Sequence, residues 1–132
     1  MFGAIQTAAS ALTTYRTWLD AVSDNIANMN DAVNGDQPSF QERYVVAQAK
    51  GDGTGIGTGT EVAGIRLGET TGRMAYEPQN PQANAAGYVK YADIDLGEQM
   101  TQMMVAQRAY QANLATIDRA KDAYQAALEL GK

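Results

Sequence analysis

The side chains able to do chemistry in this 132-residue chain are carboxylates and hydroxyls. Asp93 and Asp95 lie two residues apart, Asp118 and Asp122 one helical turn apart, and Ser10, Ser23 and Ser39 are the serines. A carboxylate pair performs acid–base work when an apolar pocket holds one member protonated, and no Asp or Glu here is embedded in such a run. Asp93 and Asp95 precede a helix-favouring stretch, where they suit the positive end of a helix dipole. Asp118 and Asp122 flank Arg119 and Lys121, the pattern of a solvated helix face or of a salt-bridging surface for a partner helix. The serines have no histidine to activate them and no G-x-S-x-G context. With neither cysteine nor histidine in the chain, disulfides, thiolate nucleophiles, Cys/His zinc sites and imidazole catalysis are all excluded.

Glycines alternate at 51, 53, 55, 57 and 59. A phosphate-binding loop needs a lysine at its far end, and Lys50 lies at the near end. A dinucleotide fingerprint needs a helix directly afterwards, and Thr60 onward reads as strand. Asp52 is the only carboxylate in the tract, too few for calcium. The tract reads as a flexible loop, and neither cofactor nor metal is expected. Ten basic residues against fifteen acidic give a net charge of -5, without the basic cluster that nucleic acid requires. These exclusions favour a chain that binds or assembles over one that catalyses.

The elements that carry these residues follow from three zones of composition. Residues 4–30 lack proline, and Ile5, Leu12, Leu19 and Ile26 recur every seven residues, with Ala8, Tyr15, Val22 and Met29 as the companion series. Two interleaved heptad positions predict a helix of about 40 Å with a coiled-coil seam. Ser10, Thr13, Thr14, Thr17, Asp24 and Asn28 fall on its opposite face, while Asn25, Asn28 and Asn30 weaken its far end and favour a cap. Trp18 lies beside the seam as a candidate anchor for a helix or subunit contact.

Residues 93–130 also lack proline. Leu96, Met103, Tyr110, Ile117 and Tyr124 are seven apart, as are Met100, Gln107, Leu114, Lys121 and Leu128. Asp95 with Glu98 makes a capping box and Gly131 a terminator, for a helix of about 52 Å. Alanines along its remaining faces admit close neighbours. Met100, Met103 and Met104 sit among them at helical spacing as packing residues, which implies contact with another helix. Burying a large aliphatic side chain contributes roughly 1.5–3 kcal/mol, while ordering each residue costs about 1.5 kcal/mol. Two helices burying one stripe each therefore sit near balance, and both are expected to need further partners and to fluctuate in the monomer.

Between them, residues 31–92 hold all three prolines and ten of the thirteen glycines. Phe40–Ala49, Val62–Leu67, Thr70–Tyr76 and Tyr88–Tyr91 read as strands of one small antiparallel unit, and Glu77–Pro81 as a turn or extended link. The expected class is mainly α with a small β part. The N- and C-terminal helices, within residues 1–32 and 93–132, form an antiparallel coiled-coil domain around a β-rich and glycine-rich insertion, 33–92.

Three motifs in this order carry a resemblance. They are Ser23-Asp24-Asn25-Ile26-Ala27-Asn28, then Tyr76-Glu77-Pro78-Gln79-Asn80-Pro81 followed by Gly87-Tyr88-Val89-Lys90, then Gln107-Arg108-Ala109-Tyr110-Gln111-Ala112-Asn113. Over nearly its whole length the chain resembles the axial (rod and hook) proteins of the bacterial flagellum, closest to those of the proximal rod. It departs from their usual short Asn-Thr-Pro-Gly turn in the longer link 30–40, and its end from Asp122 to Gly131 is more acidic and alanine-rich.

The resemblance implies a structural subunit exported through the flagellar type III apparatus without a cleaved signal. Its location would be the periplasmic basal body, with the terminal helices in the inner tube of the rod and the strands outside. Its implied partners are other rod proteins, further copies of itself, the inner-membrane ring and the adjacent adaptor protein. No nucleic acid and no membrane insertion are expected, since no stretch approaches the roughly 20 apolar residues that span a bilayer. The implied motif residues are Asn25, Asn28, Tyr110 and Asn113. The expected assembly seam is Ile5, Leu12, Tyr15, Trp18, Leu19, Val22, Ile26 and Met29 on the first helix. On the second it is Leu96, Met100, Met103, Tyr110, Leu114, Ile117, Tyr124 and Leu128. A charge at Leu114 is expected to block assembly, and changes at Thr54 or Thr58 to matter little. Two alternatives remain at this point: a soluble coiled-coil adaptor or chaperone-like module, and an enzyme using Asp93 or Asp95.

Overall fold

The computed structural model describes residues 2–51, 53 and 57–131. Its elements run α1 (Phe2–Asn28), β1 (Val33–Asn34), β2 (Arg43–Gly51), β3 (Gly57–Leu67), β4 (Arg73–Tyr76), β5 (Tyr88–Tyr91) and α2 (Leu96–Leu130). The fold is mainly α with a small β part, two long terminal helices paired antiparallel in coiled-coil fashion and flanking the strands.

Side-chain chemistry sets the helix ends. Asp95 caps α2: the Glu98 amide donates to Asp95 Oδ1 at 2.8 Å and the Gln99 amide to the Asp95 carbonyl at 3.0 Å. The Glu98 carboxylate accepts from Gln102 Nε2 one turn on, so the expected capping box is realised through its aspartate. At the other boundary Asn28 Nδ2 donates to the Asp24 carbonyl, and the Asp31 amide closes on the Asn28 carbonyl at 3.1 Å.

The strands group differently from the single unit the sequence suggests. They form two sheets, one of order β1-β5-β4 and one pairing β2 with β3. β1 is only two residues long, below the length at which alternation can be read. The glycine tract is also less of a loop than expected, because β2 continues to Gly51 and β3 begins at Gly57. Thr54 and the centre of the tract lie outside the described residues.

The chain divides into two compact units. The first comprises Met1–Leu19, Val45–Gly64 and Met104–Lys132. Here the hydroxyl face of α1 binds a strand as well as its own backbone. Ser10 Oγ accepts the Thr60 amide at 3.0 Å, and the Thr14 and Thr60 hydroxyls are 3.2 Å apart. Gly59, with φ +135°, makes this approach feasible, since a Cβ there would collide with Ser10 Oγ. Among the described residues, Ala8, Thr14 and Ala106 are its buried ones.

The second unit comprises Asp20–Tyr44 and Ile65–Met103. Its sheet is antiparallel, with Val33 opposite Lys90 and Tyr76 opposite Tyr88. The fully buried Val89 lies on the central strand β5. The proline-containing motif forms the β4–β5 connection. The Glu77 amide donates to the Gly87 carbonyl, Asn80 Nδ2 to the Glu77 carboxylate, and Asn84 Oδ1 accepts the Ala86 and Tyr88 amides. Among the described residues the buried apolar set is Ala8, Ala21, Val22, Val89, Ala92 and Ala106. Only Val22 and Val89 in it exceed alanine in size, so each unit encloses very little apolar volume.

Candidate assembly interface

Two polar side chains of the second unit are as enclosed as its buried valines, Val22 and Val89. Asn25, on α1, is 1% exposed and Gln99, on α2, is 0% exposed. Asn25 Nδ2 donates to the Arg43 carbonyl and to Gln99 Oε1, both at 3.0 Å, while Asn25 Oδ1 accepts the Arg43 amide at 2.8 Å. One side chain thus pairs with both backbone groups of Arg43, as a neighbouring strand would, and with the other helix. Gln99 Nε2 then donates to Glu42 Oε1 at 2.7 Å, and the Tyr44 hydroxyl donates to Glu42 Oε2 at 2.6 Å. The hydrogen bond to Glu42, then burial, push the Tyr44 phenol up to about 12. The Arg66 guanidinium lies 4.7 Å above the Tyr44 ring. Arg43 also pairs with Asp24, a half-exposed ion pair that contributes little by itself. Asn25 therefore acts through tertiary bonds inside α1 and not as the helix breaker its residue type suggests. Gln99, Glu42 and Tyr44 carry no motif. The available signal was the inward series Gln99, Ala106, Asn113 and Ala120, also seven apart.

That series explains how α2 is oriented. It lies about 100° around the helix from the series of Met100, Leu114 and Leu128, and Gln99 and Ala106 are fully buried. Met103, Tyr110 and Ile117 lie half-buried at its margin, whereas Leu96, Met100, Leu114, Tyr124 and Leu128 are between 44% and 54% exposed. Met104 and Val105 are exposed too. On α1, Val22 is buried, and Ile5, Leu12, Tyr15, Trp18, Leu19 and Ile26 are half-buried, as is Met29, which falls in the turn just past the helix and not on it as expected. α2 thus turns its small and polar side chains inward and leaves large apolar ones in solvent. From residue 121 to 131 every residue is exposed.

Of the motif residues, Asn25 makes the contacts just given and Tyr110 is half-buried on α2. Asn28 closes the end of α1, as described. Asn113 Nδ2 donates to the Ala109 carbonyl, one turn back. In the first unit Asn113 also lines a cavity of about 240 Å³ with Ala11, Thr14, Tyr15, Trp18, Ala47 and Thr60. The Tyr15 and Trp18 rings stack with centroids 6.0 Å apart.

Of the groups considered for chemistry, Asp95, Ser39 and Ser10 have structural roles. Asp95 is the helix cap. Asp93 borders a cavity of about 200 Å³ with Phe40, Glu42, Tyr44, Gly68 and Glu69, where Glu42 is already occupied by Gln99 and Tyr44. Ser39 is buried and its hydroxyl donates to the Thr70 carbonyl, Ser10 donates to the Thr7 carbonyl, and Ser23 is exposed. Asp118, Arg119, Lys121 and Asp122 are all exposed. Among the described residues no group of three or more acidic, histidine or cysteine side chains could hold a metal ion. Nor is any described helix long and apolar enough to cross a membrane.

Comparison with known proteins agrees with this arrangement. Residues 5–34 match the family model for flagella basal body rod proteins, and residues 85–130 match that for the C-terminal region of flagellar basal body rod FlgEFG proteins. The chain is 33% identical over 147 residues to the flagellar basal-body rod protein FlgC of Bacillus subtilis, covering 99% of this chain and 98% of that protein. It is 34% identical over 128 residues to FlgC of Escherichia coli O6:H1, covering 95% and 93%, and 27% identical over 147 residues to FlgC of Borreliella burgdorferi, covering 98% and 97%.

Proposed function

The chain belongs to the FlgC family of flagellar basal-body rod proteins, and on that premise we propose how its surface builds the rod. It is a structural subunit and not an enzyme, polymerising with other rod proteins in the periplasmic part of the basal body. The resulting hollow shaft transmits torque and conducts exported subunits. Similarity that extends over both helices and the strands favours this role over a reversible adaptor.

The observation that carries the reading is the exposed apolar stripe of α2. Leu96, Met100, Leu114 and Leu128 present a seam with the spacing of a coiled coil, beside an inward face filled by alanine and glutamine. The α1 set from Ile5 to Met29 completes the interface, with Trp18 as an anchor. Neighbours in the rod, further copies of this chain and adjacent rod proteins, cover these stripes, and such head-to-tail contacts generate an open helical assembly. The inner-membrane ring and its adaptor border this subunit, and the type III apparatus exports it.

A basal-body incorporation assay tests the seam. Leu114→Asp places a charge in it and is expected to abolish incorporation. Thr58→Ala removes only a bond to the Lys50 carbonyl and is expected to incorporate normally. The reverse order would reject the seam.

A further inference from the structure

We infer that the buried amide pair Asn25–Gln99 is a register lock that fixes which turn of α2 lies against α1. The inward positions of α2 recur every seven residues, as do the apolar positions of α1. Packing alone therefore distinguishes poorly between registers displaced by one heptad, about 10 Å along the helix. Asn25 removes this degeneracy. In the observed register its Nδ2 meets Gln99 Oε1 at 3.0 Å. A slip of seven residues one way presents Ala106, and the other way Ala92, which precedes α2. An alanine methyl accepts no hydrogen bond, so each slip leaves a buried amide donor without its partner. The displaced Gln99 would also leave Glu42, its acceptor at 2.7 Å.

Asn113, the next polar residue of the inward series, is reached only by a slip of about 21 Å, and its amide already bonds to the Ala109 carbonyl. Because Asn25 also pairs with both backbone groups of Arg43, the lock fixes the first residue of β2 together with the helix register. A polar residue in an apolar seam specifies one register at a cost in stability. The inference stands independently of the rod reading.

The chain has no cysteine, so the substitutions Ser23→Cys and Thr101→Cys, at exposed positions of α1 and α2, accept spin labels cleanly. Electron–electron distance measurement on the full chain is expected to give one dominant distance. Adding N25L and Q99L, with the helical circular dichroism retained, is expected to give a second population displaced by up to about 10 Å. If the leucine pair loses its helical signal, N25A with Q99A is read the same way. A single unchanged distance in the double variant, or no dominant distance in the labelled parent, overturns the lock. So does loss of helix in both double variants, which would make the pair a folding requirement and not a register device.

Discussion

At the scale of single residues, hydrogen bonds of buried polar side chains supplement the small apolar set of the second unit. Asn25 satisfies the Arg43 backbone and Gln99 together, so Asn25→Ala leaves several buried groups unpaired. The expected loss is about 2 kcal/mol in chemical denaturation, against little change for a substitution at exposed Ser23. Tyr44 gives a second prediction. An unfolded tyrosine ionises near 10, whereas Tyr44, donating to Glu42, holds its proton to about 12. Its contribution to stability is therefore complete below pH 10 and lost as pH rises through 12. In ultraviolet titration, the difference between the parent chain and Tyr44→Phe should ionise near 12. A difference ionising near 10 would show that the Tyr44–Glu42 bond does not form in solution.

At the scale of elements, periodicity made both helices legible, because seven-residue apolar spacing persists through each and proline is absent from both. Their ends were legible through Asp95, Asn28 and Gly131. The packing orientation of α2 was not. Three heptad series run along it, and apolar residues mark the two that begin at Leu96 and Met100, while Gln99, Ala106 and Asn113 mark the inner one. Strand grouping was hidden as well, since β1 has two residues and β2 and β3 form a sheet apart from the other strands. Docking of β3 on α1 depends on a glycine that composition alone assigned to a loop. Gly59→Val would drive a side chain into Ser10. Fast exchange of the Thr60 amide, which Ser10 now accepts, is the expected result, with the helical signal kept. Slow exchange of that amide in the variant would argue against the Ser10–Thr60 contact.

At the scale of the whole molecule, a member of the FlgC rod family encloses few large apolar side chains among its described residues. The family was legible in three motifs. What they do was not, because Asn25 acts through Gln99 and Arg43, which lie far from it in sequence. Alanine lets α2 lie close to its neighbours, and on the proposed reading the exposed Met100, Met104, Leu114 and Leu128 are what other subunits cover. Isolated helices gain little from propensity and depend on packing for their stability, so the exposed stretch from 121 to 131 should be protected only in the rod. Amide hydrogen exchange of α2, compared between dilute monomer and purified basal bodies, tests this most directly. The account expects rapid exchange beyond residue 120 in the monomer and strong protection of the same amides after assembly. Equal protection of α2 in the two states would contradict it.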